Sequence, residues 1–78
     1  MVKTLNKFSI GESGIVTFVN GERRIKRRLY DMGIAKGAEI LLRKKAPLGD
    51  PIEVTVRSYE LSLRLSEAAL IGLEVKNV

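Results

Sequence analysis

From Ala38 onward the apolar residues fall on alternate positions, and that period of two limits what the chain can build. Ala38, Ile40 and Leu42 alternate with Glu39 and Arg43, the pattern of a strand with one core face. Ile52, Val54 and Val56 alternate more cleanly with Glu53, Thr55 and Arg57. Tyr59, Leu61, Leu63 and Leu65 keep the period but with opposite parity. One extra residue moves every side chain to the other face of a strand, so a tight turn or bulge is expected near Ser58. Between the first two strands, Pro47-Leu48-Gly49-Asp50-Pro51 reads as a rigid loop, its prolines fixing φ on either side of a permissive glycine. Ser66 reads as the cap of a single helical turn over Glu67 to Leu70. Ile71 to Val78 reads as the closing strand.

The first half is organised differently. After a turn signal at Ile10-Gly11-Glu12, Gly14 to Val19 is β-branched and aromatic. Both of its faces are apolar, which predicts a strand that is central or covered on both sides. Asn20 is placed to act as an N-cap, and Glu22 suits the positive end of a helix dipole. Ile25, Leu29 and Met32 then recur at helical spacing, and Gly33 follows as a left-handed terminator. The helix is expected over about Glu22 to Met32.

Seventy-eight residues make one domain, residues 1–78, with a thin core. The chain has no Cys and no His, which excludes a disulfide framework, Cys/His zinc sites and every His-based triad. About five short strands with one helix bury their apolar face by curling. The expected fold is mainly β, a small SH3-like barrel of about five antiparallel strands with one short inserted α-helix. The longest uncharged run, Ser13 to Gly21, is far shorter than the ~20 residues that span a bilayer. The first residues lack the apolar stretch of a signal peptide, so a cytoplasmic protein is expected.

Fourteen Lys and Arg against nine Asp and Glu give a net charge of +5, which favours an anionic partner. Five of the six residues from Arg23 to Arg28 are basic. Helical spacing puts Arg24, Arg27 and Arg28 on one face, where like charges repel. Such density of one sign exceeds what solubility requires and points to docking on an acidic protein patch, a phosphate or an acidic membrane surface. The plainer reading is a solvated face whose long stems cover the helix flanks. A second cluster, Arg43-Lys44-Lys45, reads as charge guarding a strand edge.

No catalytic set emerges. The carboxylates, Asp50 and Asp31 included, are isolated in sequence, and Ser and Thr lack a base. The glycines form no phosphate-binding fingerprint. Met1 and Met32 are the only soft ligands, and Met32 at helical spacing reads as core. No catalytic residue, metal site or cofactor is expected. Nucleic-acid readers interleave aromatic platforms with basic residues. Only Phe8, Phe18, Tyr30 and Tyr59 are available, with Tyr30 alone inside the basic segment, so nucleic acid ranks below protein as a partner. An exposed edge strand would allow pairing with a second copy.

The run Arg28-Leu29-Tyr30-Asp31-Met32-Gly33-Ile34 with Gly37, followed by Ala46-Pro47-Leu48-Gly49-Asp50-Pro51, resembles the FeoA family. So do Leu61-Ser62-Leu63-Arg64, Glu67-Ala68 and the closing Ile71 to Val75. The resemblance covers about Leu5 to Val75. It implies a small cytosolic SH3-like barrel that accompanies FeoB, a membrane ferrous-iron transporter with a cytosolic GTPase domain. It also implies a module that recurs fused to metal-dependent repressors. Where family members often place Gly before Tyr59, this chain has Ser58. The implied role is an accessory protein of iron(II) uptake that docks on the transporter's cytosolic part.

That implication meets the residues at one surface. Pro47, Leu48, Gly49, Asp50 and Pro51 form a tip that is ordered before binding, which lowers the entropic cost of association. Leu48 has no local reason to occupy a loop. It either enters a partner pocket or folds back onto the end of the barrel. The face carrying Arg23, Arg24, Arg27 and Arg28 would steer the approach.

Overall fold

The computed structural model describes residues 1–76. The chain runs β1 (Val2–Thr4), a 3-10 turn (Leu5–Lys7), β2 (Ser13–Val19), α1 (Arg23–Asp31), β3 (Glu39–Lys45), β4 (Ile52–Val56), β5 (Tyr59–Leu63), α2 (Leu65–Ala68) and β6 (Ile71–Val75). All six strands share one antiparallel sheet in the order β1-β6-β2-β3-β4-β5. The SH3-like expectation holds, with two differences. There are six strands, not about five, and among the described residues no pairing between β1 and β5 closes the sheet. β1 escaped notice because three residues carry no period. It is held by β6, with Lys3 opposite Leu73.

The alternating segments pack as their pattern requires. Ile40 lies opposite Val56 and Leu42 opposite Val54, and all four are buried. The parity change resolves into a two-residue turn at Arg57 and Ser58, which sets Val56 opposite Tyr59. Arg57 there takes φ +57°, a left-handed conformation costing an ordinary residue about 1–2 kcal/mol. The alternation stops at Leu63. Leu65 opens α2, one residue ahead of the expected cap at Ser66. Glu67 closes that helix end instead, its carboxylate accepting the Arg64 N–H at 3.0 Å. β6 ends at Val75; of the expected extension to Val78, Asn77 and Val78 lie outside the described residues.

β2 is central, between β6 and β3, but it is not covered on both faces. A register shift between Val16 and Phe18 moves Phe18 to the outer surface, where its ring lies on Gly72. A Cβ at Gly72 would sit 2.2 Å from that ring, so only glycine accommodates the contact.

α1 forms where its stripe predicts. Leu29 is buried, and Ile25 and Met32 pack against the core. Its beginning differs from expectation. The Asn20 N–H binds the Leu70 carbonyl at 2.8 Å, and Glu22, not Asn20, is the N-cap residue. Its end follows the expected left-handed glycine. Ile34 N–H donates to the Leu29 carbonyl at 3.0 Å and Gly33 N–H to the Tyr30 carbonyl at 2.9 Å, while Gly33 sits at φ +89°. This is the paired 6→1 and 5→2 closure of a Schellman end, and buried Ile34 supplies its apolar contact with Leu29. The Tyr59 hydroxyl donates to the Met32 carbonyl, tying the β4-β5 hairpin to the helix terminus. A Cβ on Gly33 would collide with that hydroxyl.

Three stability outcomes follow. Gly33→Ala adds left-handed strain to a collision with Tyr59 and should cost about 2–3 kcal/mol, lowering the thermal midpoint by roughly 10 °C or more. Arg57→Gly relieves strain at the hairpin and should raise stability by about 0.5–1 kcal/mol; an unchanged or lower midpoint would contradict the turn geometry. The third concerns acid. The Glu12 carboxylate accepts the Ser9 N–H at 2.9 Å and lies 2.9 Å from the Lys3 ammonium. The backbone hydrogen bond first, then Lys3, holds its pKa below the usual glutamate value. A depressed folded-state pKa gives stability that is complete above the unfolded value, about 4.3, and is lost as pH falls through the folded one. Denaturant midpoints below about pH 4.3 should therefore fall less steeply in Glu12→Gln than in the parent chain.

Candidate functional site

Everything expected to bind a partner lies on α1 and on the loop between β3 and β4, two segments far apart in sequence. α2 joins them. The Asp50 carboxylate accepts the Leu65 N–H at 3.0 Å, fastening the loop to the first turn of α2. On the other side, Arg28 lies 3.3 Å from the Glu67 carboxylate, fastening α2 to α1. Exposed ion pairs of this kind are worth ~0–1 kcal/mol, so the pair orients Arg28 more than it stabilises the fold. One shallow depression runs between Ile25, Arg28, Arg64 and Leu70, and a neighbouring one between Asp50, Pro51 and Arg64. Arg64 borders both, making the surface continuous from helix to loop. Sequence reasoning assigned no role to Arg64 or Glu67, because their part depends on partners far along the chain.

The loop is ordered by its own backbone. Gly49 N–H donates to the Ala46 carbonyl at 2.7 Å, and Ala46 N–H to the Pro51 carbonyl at 3.0 Å. Gly49 has φ +86° and the Asp50-Pro51 peptide is cis. This closure leaves Leu48 at the tip with 96% of its surface exposed. The alternative in which Leu48 folds back onto the sheet is thereby overturned: the hydrogen bonds hold the tip away from the core.

The basic residues of α1 divide. Arg23, Lys26 and Arg27 line one depression of about 360 Å³ together with Tyr30. Arg28 turns toward α2, and Arg24 is exposed and borders neither depression. Arg24, Arg27 and Arg28 keep their i, i+3, i+4 spacing on α1, with Arg28 engaged by Glu67. The other basic cluster sits at the end of β3, beyond the stretch of β3 that pairs with β2, Glu39 to Leu41. Among the described residues only β4 accompanies the strand there, with Lys44 opposite Glu53, so these charges flank a locally open edge within an interior strand.

Among the described residues no three Asp or Glu side chains gather where they could hold a metal ion. No helix of the described chain is long and apolar enough to cross a membrane. The surface offers a rigid apolar tip and a cationic flank, arrangements suited to contact with another body.

Comparison with known proteins places this architecture. A FeoA-like protein from Clostridium acetobutylicum has the same fold, with a TM-score of 0.88 and 43% identity over 95% of this chain and 86% of that one. FeoA of Stenotrophomonas maltophilia, solved in complex with zinc and described as a procaryotic SH3 domain protein, matches with a TM-score of 0.80 and 32% identity, covering 92% of this chain and 89% of that one. The Fe(2+) transport protein A/Fe(2+) transporter FeoB fusion protein of Porphyromonas gingivalis is 31% identical over 71 residues. Those residues are 91% of this chain but only 8% of the fusion protein. The FeoA domain model matches residues 3–75. With nearly its whole length matched and its sheet shared with solved members, this chain belongs to the FeoA family, which is linked to ferrous-iron transport.

Proposed function

We propose that this chain is a cytoplasmic, non-enzymatic accessory protein of ferrous-iron uptake that docks on the cytosolic part of a FeoB-type transporter. The observation that carries the reading is the Porphyromonas gingivalis relative, in which transport protein A and FeoB share one polypeptide. Two modules joined in one chain work at short range, and as separate proteins they need a contact surface to do so.

The geometry supports the Pro47–Pro51 tip as the specific part of that surface. Leu48 is fully presented, and the loop behind it is closed by the Ala46 hydrogen bonds and tethered through Asp50 to α2. Burying a leucine side chain stabilises a contact by about 1.5–3 kcal/mol, and a preordered loop loses little of that to ordering. The α1 arginines act at longer range, raising the encounter rate with an acidic surface.

Both parts are testable with the transporter's soluble domain. Leu48→Ser should weaken binding about tenfold or more and leave the thermal midpoint unchanged, since the side chain touches nothing in the free protein. Arg24→Glu with Arg27→Glu should slow association and flatten its dependence on salt, with little change in dissociation. Equal affinity of Leu48→Ser and the parent chain would remove the tip from the interface.

A further inference from the structure

We infer that the outward stripe of α1 is a docking surface for anionic lipid, laying the helix flat against an acidic membrane face. The stripe is Arg23, Lys26, Arg27 and Tyr30, spaced i, i+3, i+4 and i+7 along α1, with Lys26 half-buried on the flank next to Leu29 and the other three exposed.

Its charge is uncompensated. Among the described residues, α1 makes one ion pair, Arg28 with Glu67, and none of the three cations of the stripe has an acidic partner. Glu22, the N-cap residue, and Asp31, the last residue of α1, stand four positions from Lys26 and Arg27 but pair with neither. The stripe is also shaped for an interface between water and hydrocarbon. Its depression is lined mostly by carbon from the Arg and Lys stems and the Tyr30 ring, so long stems can lie along apolar material while their charged ends reach phosphates. Tyr30 is 52% exposed, an amphipathic ring of the kind that settles at headgroup depth.

An acidic protein would be matched differently. Recognition of fixed carboxylates uses guanidinium groups that are themselves held in place, and no cation of this stripe makes an ion pair among the described residues. Unpaired cations suit a fluid anionic plane, where each Lys or Arg contributes independently. The helix beneath is firm nonetheless, pinned by Leu29 and by its Gly33-Ile34 closure. The chain therefore presents a pinned helix whose stripe cations make no ion pair among the described residues.

This goes beyond docking on the transporter and is tested without it. The probe is co-sedimentation of the full chain with phosphatidylcholine vesicles, with and without phosphatidylserine, at low and high salt. The chain should sediment with phosphatidylserine vesicles at low salt, be released as the screening length shortens, and ignore pure phosphatidylcholine. Arg23→Glu with Lys26→Glu should reduce vesicle affinity about a hundredfold or more. At about 0.1 M salt, where screening acts over ~10 Å, Lys44→Glu with Lys45→Glu, the same change in net charge on β3, should reduce it no more than about threefold. Circular dichroism and thermal midpoints matching the parent chain establish that both variants fold. Should they not, the salt release and lipid selectivity of the parent chain decide the matter alone. Equal losses in the two variants, binding to neutral vesicles, or absence from phosphatidylserine vesicles at low salt would each overturn the inference. So would retention on polyuridylate at a salt concentration that empties the vesicles, which would assign the stripe to nucleic acid.

Discussion

The molecule depends on one apolar cluster assembled from a single twisted sheet, with no polar or charged side chain buried inside it among the described residues. A short chain without cross-links has no other source of stability, so each element must contribute to that cluster. β3 and β4 supply Ile40, Leu42, Val54 and Val56, β6 adds Ile71 and Leu73, and Leu29 brings α1 into the same cluster. No charged or polar residue is wholly enclosed in that cluster, although the Asn6 Oδ1 and Thr55 Oγ1 atoms are buried beside it. The carboxylates among the described residues sit at or near the surface, Glu67 and Glu12 each beside a cation. What remains is shape and charge at the periphery.

That periphery is built with little strain on the core. α1 is anchored by one buried side chain and by a left-handed turn that doubles as a joint with the β4-β5 hairpin. Its outer side is therefore free to carry a density of positive charge that would disfavour an isolated helix. The proline-flanked loop is similarly independent, closing on its own backbone and touching the body through Asp50. α2, only four residues long, is the splint between the two. Its contacts with Asp50 and Arg28 give the helix and loop a fixed relationship that neither segment specifies alone.

Much of this was legible from local pattern. The alternation at Ile52 to Val56, the stripe of Ile25, Leu29 and Met32, and the terminating Gly33 each encode their structure within a few residues. Features settled by distant partners were not legible. Asn20 has the chemistry of an N-cap, but Gly21 after it takes φ +110°, and the helix begins later, at Arg23. Leu65 continues the alternation in sequence, yet the Asp50 carboxylate receives its N–H and makes it the start of a helix. β1 has no pattern of its own and is a strand because β6 lies beside it. The basic run was visible at once. Its division between a free stripe and a tethered Arg28 was not, since that division rests on Glu67, 39 positions downstream of Arg28.

The placement of β6 carries a consequence for how the protein comes into being. This strand comes latest of the six along the described chain, yet it lies between β1 and β2, the earliest two. A nascent chain that has not yet cleared Val75 from the ribosome holds β1 with no neighbour and β2 with one flank bare. The early strands must wait for β6, so strand-by-strand assembly of this sheet is foreclosed until that strand has left the ribosome.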